Sequence, residues 1–139
     1  MKYFSKKVEF FGIKFDSKRE RDRYIVLRNM ENKGEISELT LQKDFELLPK
    51  QMRKERVVLK TKTKIVEKVD ELAVHYHCDF YYKDNKTGQY IIEEVKSPMT
   101  ALVRDYPLRR KLVKLLVKKM NEEAGEEKYV FKEIINKNA

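Results

Sequence analysis

Short alternating or clustered apolar runs, read as strands, dominate this 139-residue chain and are interrupted by two stretches of helical spacing. Residues 7–15, Lys-Val-Glu-Phe-Phe-Gly-Ile-Lys-Phe, read as a hairpin turning at Gly12. Ser17 followed by Glu20 has the form of a capping box. It opens a helix expected to run to about Asn32, with Gly34 suited to its C-terminal stop. Glu20, Tyr24 and Leu27 share one face, expected to be buried, with Glu20 at its N-terminal end. Ile36, Leu39-Thr40-Leu41-Gln42 and Phe45-Glu46-Leu47-Leu48 read as one bent strand ended by Pro49. Residues 65–82 hold one or two strands, the last of them Val74 to Tyr82, and residues 89–96 hold the next. Asp84-Asn85-Lys86-Thr87-Gly88 between them reads as a hairpin loop.

Ser97-Pro98 stops that strand, and Thr100 starts a helical turn. Pro107 is tolerated only in the first turn of a helix, so the second long helix starts near Tyr106 and ends before Gly125. Leu108, Leu112, Leu115, Leu116 and Met120 are expected to form its apolar face, opposite a basic stripe of Arg110, Lys111, Lys114 and Lys118. Residues 128–135 form a last strand. The order helix, three strands, helix, strand predicts a mixed sheet with helices against it, an α/β or α+β arrangement.

The length predicts a single domain, residues 1–139, and charge adds a partner to the picture. The formal net charge is +9. Residues 50–64 hold seven Lys or Arg against one Glu, and residues 100–119 hold seven against one Asp. Two basic patches on an otherwise slightly acidic chain suggest a polyanion, nucleic acid first, the alternative being lysine-rich faces that are merely solvated. The candidate contacts are Arg53, Lys54, Arg56, Lys60, Lys62 and Lys64, in a basic insertion or ribbon at about 50–64, and the stripe Arg110, Lys111, Lys114 and Lys118. No apolar run approaches the ~20 residues of a spanning helix. The start, Met1-Lys2-Tyr3-Phe4-Ser5, lacks the apolar core of a signal peptide. The lone cysteine, Cys78, rules out an internal disulfide framework and fits a reducing cytoplasm.

The candidate chemistry lies in Ile91-Ile92-Glu93-Glu94-Val95-Lys96. In a strand Glu94 and Lys96 point the same way, and Glu93 the other. A carboxylate and an ammonium side by side at a strand end can hold a divalent metal and steer an attacking water. The hairpin sets Asp79 beside Glu94 as a partner. Bland alternatives stand next to these: a solvent-facing Glu94–Lys96 ion pair and a purely capping Glu20. His75 and His77 invite a zinc reading, but they are the only two histidines and no second Cys or His group accompanies them, so they read as polar strand-face residues. Tyr81 and Tyr82 read as sheet packing.

An Asp, then Glu-x-Lys one strand later, resembles the signature of the PD-(D/E)xK nucleases, with Cys78 standing where a Pro is usual. The segments Gly12 to Glu20, Leu41 to Leu47, Cys78 to Tyr82 and Glu94 to Lys96, with Thr100 and Lys111, resemble in order and spacing a family of small phage proteins. That family was first described as a domain of unknown function and is placed among those nucleases. The resemblance covers roughly residues 10–135 and extends more distantly to archaeal Holliday-junction resolvases and the endonuclease subunit of some heteromeric transposases. It implies a restriction-endonuclease-like core and a catalytic set of Glu20, Asp79, Glu94 and Lys96, with Gln42 as an auxiliary candidate. Asp79, Glu94 and Glu20, with the Val95 carbonyl, would then hold Mg²⁺, for which Mn²⁺ substitutes. Lys96 would orient or deprotonate water, or stabilise charge at the phosphate. The expected protein is a metal-dependent endodeoxyribonuclease of phage or prophage origin. It would act on branched DNA such as a Holliday junction, as a homodimer in the host cytoplasm, alongside phage replication or recombination proteins. The alternatives are a nickase or end-processing nuclease on duplex or flap DNA, and a non-catalytic DNA-binding replication or recombination accessory.

Overall fold

The computed structural model describes residues 7–98, 100–102 and 105–135. Arg104, part of the second basic patch, lies outside them. The chain divides into two compact units, one made of residues 1–43 and 77–139, the other of Asp44–Tyr76.

The first unit opens with the expected hairpin, β1 (Val8–Phe10) and β2 (Ile13–Phe15). Phe11 and Gly12 both take positive φ, +48° and +77°, the combination a two-residue hairpin turn needs to match strand twist. Helix α1 (Lys18–Asn32) follows, capped by the Ser17 side chain, which accepts from the Glu20 backbone N–H at 3.2 Å. At its other end the Gly34 N–H donates to the Glu31 carbonyl and the Glu35 N–H to that of Met30, while Gly34 takes φ +80°. That is a Schellman motif, and it explains the stop at Gly34.

The unit's sheet runs β10-β9-β8-β3, from β3 (Ile36–Leu41), β8 (Phe80–Asp84), β9 (Tyr90–Lys96) and β10 (Tyr129–Ile135). Strands β3, β8 and β9 pair antiparallel, and β10 joins β9 in parallel, so the sheet is mixed and the fold is α+β as expected. A parallel neighbour needs a crossover. Helix α2 (Tyr106–Ala124) supplies it, after a 3₁₀ turn at Thr100–Leu102.

Register fixes what each face carries. Phe80, Tyr82, Ile91 and Val95 join Tyr24, Leu27, Phe15 and Ile36 in a buried core under α1. Ile92, Glu94 and Lys96 point to the opposite face with Phe131 and Glu133. On α2 the buried residues are Tyr106, Val113 and Val117, not the expected leucine face. Leu108 and Leu115 are exposed, while Leu112, Leu116 and Met120 are half-buried. Apolar residues cover about half of this helix's circumference, and the stripe that docks is the one continuing from Tyr106.

In the second unit β4 (Asp44–Leu48) pairs with β7 (Val74–His77), and β5 (Gln51–Val58) forms a long antiparallel ribbon with β6 (Thr63–Glu71). The one bent strand expected over residues 36–48 is therefore two strands in different sheets. Gln42, with φ +56°, is where the chain leaves β3. The ribbon expected at about 50–64 runs on to Glu71, because residues 65–71 are its second strand and not a lead-in to Asp79.

Candidate active site

Asp79 does not lie in a strand. It occupies a bend between β7 and β8, so the strand expected from Val74 to Tyr82 is broken there. His75 instead meets Asp44 within the second unit, Nδ1 lying 2.9 Å from Oδ2. The bend is pinned by backbone bonds: the Asp79 N–H donates to the Glu93 carbonyl at 3.1 Å, and the Gln42 N–H donates to the Asp79 carbonyl at 3.3 Å. The preceding Cys78 N–H donates to the Lys43 carbonyl at 3.1 Å, a bond a proline at this position could not make. Cys78 is fully buried, and burial pushes its thiol up to about 12, so it is an inert packing residue.

The Asp79 side chain reaches β9, where its Oδ2 accepts the Val95 N–H at 2.7 Å. This bond draws the carboxylate to the end of the strand that carries Glu94 and Lys96. Glu94 is buried, and its Oε1 lies 3.2 Å from Lys96 Nζ. The Lys96 ammonium also sits 5.3 Å from the centroid of the Tyr106 ring, a cation–π contact. Tyr106 is fixed in turn by donating from its hydroxyl to Glu133 Oε2 at 2.7 Å.

Glu20 enters from the first turn of α1. Burial and the nearby Asp16 raise its carboxyl to about 7, with Glu94 adding to the effect and Lys96 opposing it. Asp79 is raised to about 8 by burial, then by Glu94 and Glu20, while the Val95 N–H and Lys96 pull it down. The three carboxylates thus feel one another across the site, the position of like charges that a bound cation relieves. Among the described residues no three His, Cys, Asp or Glu side chains form a ready-made metal cage. The donor chemistry nevertheless suits a hard cation: carboxylate oxygens and the Val95 backbone, with no sulfur or imidazole. Mg²⁺ retains several waters, so a third carboxylate at one remove fits it. Gln42 stands next to the site through its backbone contact with Asp79, with its side chain exposed.

Reading the sequence alone misses Glu93. It is fully buried, accepts two bonds from Arg23 at 2.8 Å each, and accepts the Tyr82 hydroxyl at 2.8 Å. The bond to Glu93 raises the already basic Arg23 further. Arg23 lies one turn after Glu20 on α1, and Glu93 directly precedes Glu94 on β9. The clamp therefore fixes the helix that carries one site residue against the strand that carries two. The available signal was an acid on the inward face of a buried strand, where Ile91, Glu93 and Val95 alternate.

The candidate basic residues divide between the units. Arg53, Lys54, Arg56, Lys60, Lys62 and Lys64 are exposed on the ribbon or its tip, and Arg53 lies 3.8 Å from both Glu55 and Asp70. Lys111, Lys114 and Lys118 are exposed on α2, and Arg110 is half-buried. A cleft of about 640 Å³ between the second half of α2 and β10 includes Lys114 and Lys118 but none of the candidate carboxylates. Among the described residues no helix is long and apolar enough to cross a membrane.

Among known families, one model matches the chain, over residues 1–130, and it is described as a protein of unknown function, DUF1064. Neither the comparison with curated proteins nor that with solved structures gave a match.

Proposed function

We propose that this chain, which belongs to the DUF1064 family, is a metal-dependent endodeoxyribonuclease of the PD-(D/E)xK kind acting on branched DNA. The observation that supports this most is the convergence of Asp79, Glu94 and Glu20 beside Lys96. Asp79 is drawn to the strand end by the Val95 N–H at 2.7 Å, and Lys96 is held 3.2 Å from Glu94. A solvent-facing ion pair would be exposed, whereas Glu94 is 6% accessible.

Asp79 and Glu94 would hold the cation, with the Val95 carbonyl and Glu20 completing its surroundings. When bound, a divalent cation neutralises phosphate charge and makes its water more acidic. The chain's own residues supply the rest. Asp79 and Glu20 retain protons near neutral pH and release them when a positive charge arrives. Lys96, held between a carboxylate and an aromatic face, would act on the attacking water or stabilise negative charge at the scissile phosphate.

Branched DNA and a homodimer come from the resemblance to junction resolvases, since symmetric cleavage of a junction needs two sites. The test is cleavage of labelled four-way junction, flap, nicked and continuous duplex by purified protein, with Mg²⁺, Mn²⁺ or EDTA. Metal-dependent cutting, strongest on the junction, is expected. Binding without cutting under every metal would make the chain a DNA-binding accessory.

A further inference from the structure

The β5–β6 ribbon is polarised along its length. Its acids, Glu55, Glu67, Asp70 and Glu71, all lie in the half away from the turn. There they meet the local cations: Glu55 lies 3.1 Å from Lys68, and Arg53 is close to Glu55 and Asp70. The tip half, residues 56–65, contains Arg56, Lys60, Lys62 and Lys64 and no acid. The turn is closed by the Leu59 N–H donating to the Lys62 carbonyl at 2.8 Å, so Lys60 and Thr61 stand at the apex.

The same tip exposes apolar side chains to water. Val58 is 75% accessible and Ile65 69%. Val58 lies two residues from Arg56 on β5, and Ile65 is the register partner of Arg56 on β6. All three therefore share one face of the ribbon. Toward the base of that face Met52 and Val69 are less exposed, at 45% and 43%.

We infer that the ribbon tip is a wedge for interrupted DNA, with Arg56, Lys60, Lys62 and Lys64 on phosphates and Val58 and Ile65 pressed against an opened base step. This rests on the reading of the chain as a DNA nuclease and adds how it selects its substrate. Charge selects the occupant. A second copy of the tip would bring the same positive charges against these, whereas a polyanion matches them. Two-stranded ribbons fit DNA grooves, and apolar wedges bind by unstacking a step. Unstacking costs least where the stack is already broken, so the wedge favours a branch point, nick or gap over continuous duplex.

The experiment measures binding of the full chain in EDTA, by fluorescence anisotropy over a range of salt. The probes are a continuous duplex, the same duplex with a one-nucleotide gap, and a four-way junction. Wild type is expected to prefer gap and junction about ten-fold or more. Val58→Thr with Ile65→Thr keeps β-branched side chains and all charges. This variant is expected to lose the preference while keeping the salt slope. Lys60→Gln, Lys62→Gln and Lys64→Gln together are expected to lower the slope by about 3, near 0.9 for each phosphate contact. Unchanged preference in the first variant, or unchanged slope in the second, overturns the wedge. So does dissociation of a wild-type dimer caused by the Val58 and Ile65 changes, which would assign the apolar pair to a second copy. If wild type binds and cuts DNA while the ribbon variants behave like it, only the wedge fails. If wild type binds none of the probes, the nuclease reading fails with it.

Discussion

Arg23 and Glu93, seventy residues apart, meet in a bidentate ion pair with both N···O distances at 2.8 Å, and Glu93 has no solvent exposure. The pair ties α1 to β9 next to the candidate site. Removing one partner leaves a buried charge alone, so Arg23→Ala is expected to cost about 3–5 kcal/mol of stability. Replacing both, as Arg23→Met with Glu93→Leu, should cost much less, because no charge is then stranded. Urea denaturation of the two variants checks this, and equal losses would contradict it.

The raised carboxyls of Asp79 and Glu20 set a pH dependence. Each binds a proton more tightly in the folded chain, near 8 and 7, than in the unfolded chain, near 3.8 and 4.5. Their contribution to stability is therefore fully present below about pH 4 and is lost as pH rises through 7 and 8. Without metal, Asp79→Asn should raise Tm by several degrees at pH 8.5 and change it little at pH 4. Added Mg²⁺ should raise the wild-type Tm at pH 8.5 and have little effect on the variant. A thermal-shift series in pH and Mg²⁺ reads both.

Much of this arrangement was legible in the sequence because it is local. Ser17, Glu20 and Gly34 announce the ends of α1, and the Glu94–Lys96 spacing fixes a shared face. Asp79 could be chosen by its residue type but not placed, since the bend that aims it depends on bonds to Glu93 and Val95 from a later strand. The Arg23–Glu93 clamp was hidden for the same reason. The face of α2 was misread because leucines suggest a core more strongly than valines do. Which stripe docks is decided by Tyr106 and its bond to Glu133, a contact with the last strand.

Glu20→Gln separates capping from chemistry. The Ser17 cap accepts from the backbone of residue 20, so the substitution leaves it in place, and Gln also serves in a capping box. Without metal, Tm should move little at pH 4 and rise at pH 8.5, as for Asp79→Asn. Cleavage should fall, and more Mg²⁺ should be needed to reach half of the remaining rate. Full activity at wild-type Mg²⁺ would reduce Glu20 to a structural residue.

Lys96→Ala should fail by another route. The carboxylates remain, so Mg²⁺ should still raise Tm at pH 8.5, while cleavage is lost and Mn²⁺ does not restore it. Restoration by Mn²⁺ would mean that Lys96 serves to assemble the metal site rather than to act on water or phosphate.

The most direct test is cleavage of a labelled four-way junction by wild type and Asp79→Asn, side by side in Mg²⁺ and in EDTA. Wild type should cut in Mg²⁺ alone. Asp79→Asn should be slower by more than the roughly 10–100-fold that losing a residue which merely orients a metal ligand costs, while its binding to the junction in EDTA is retained. Equal cutting by the two proteins, or cutting by wild type in EDTA, would contradict the account.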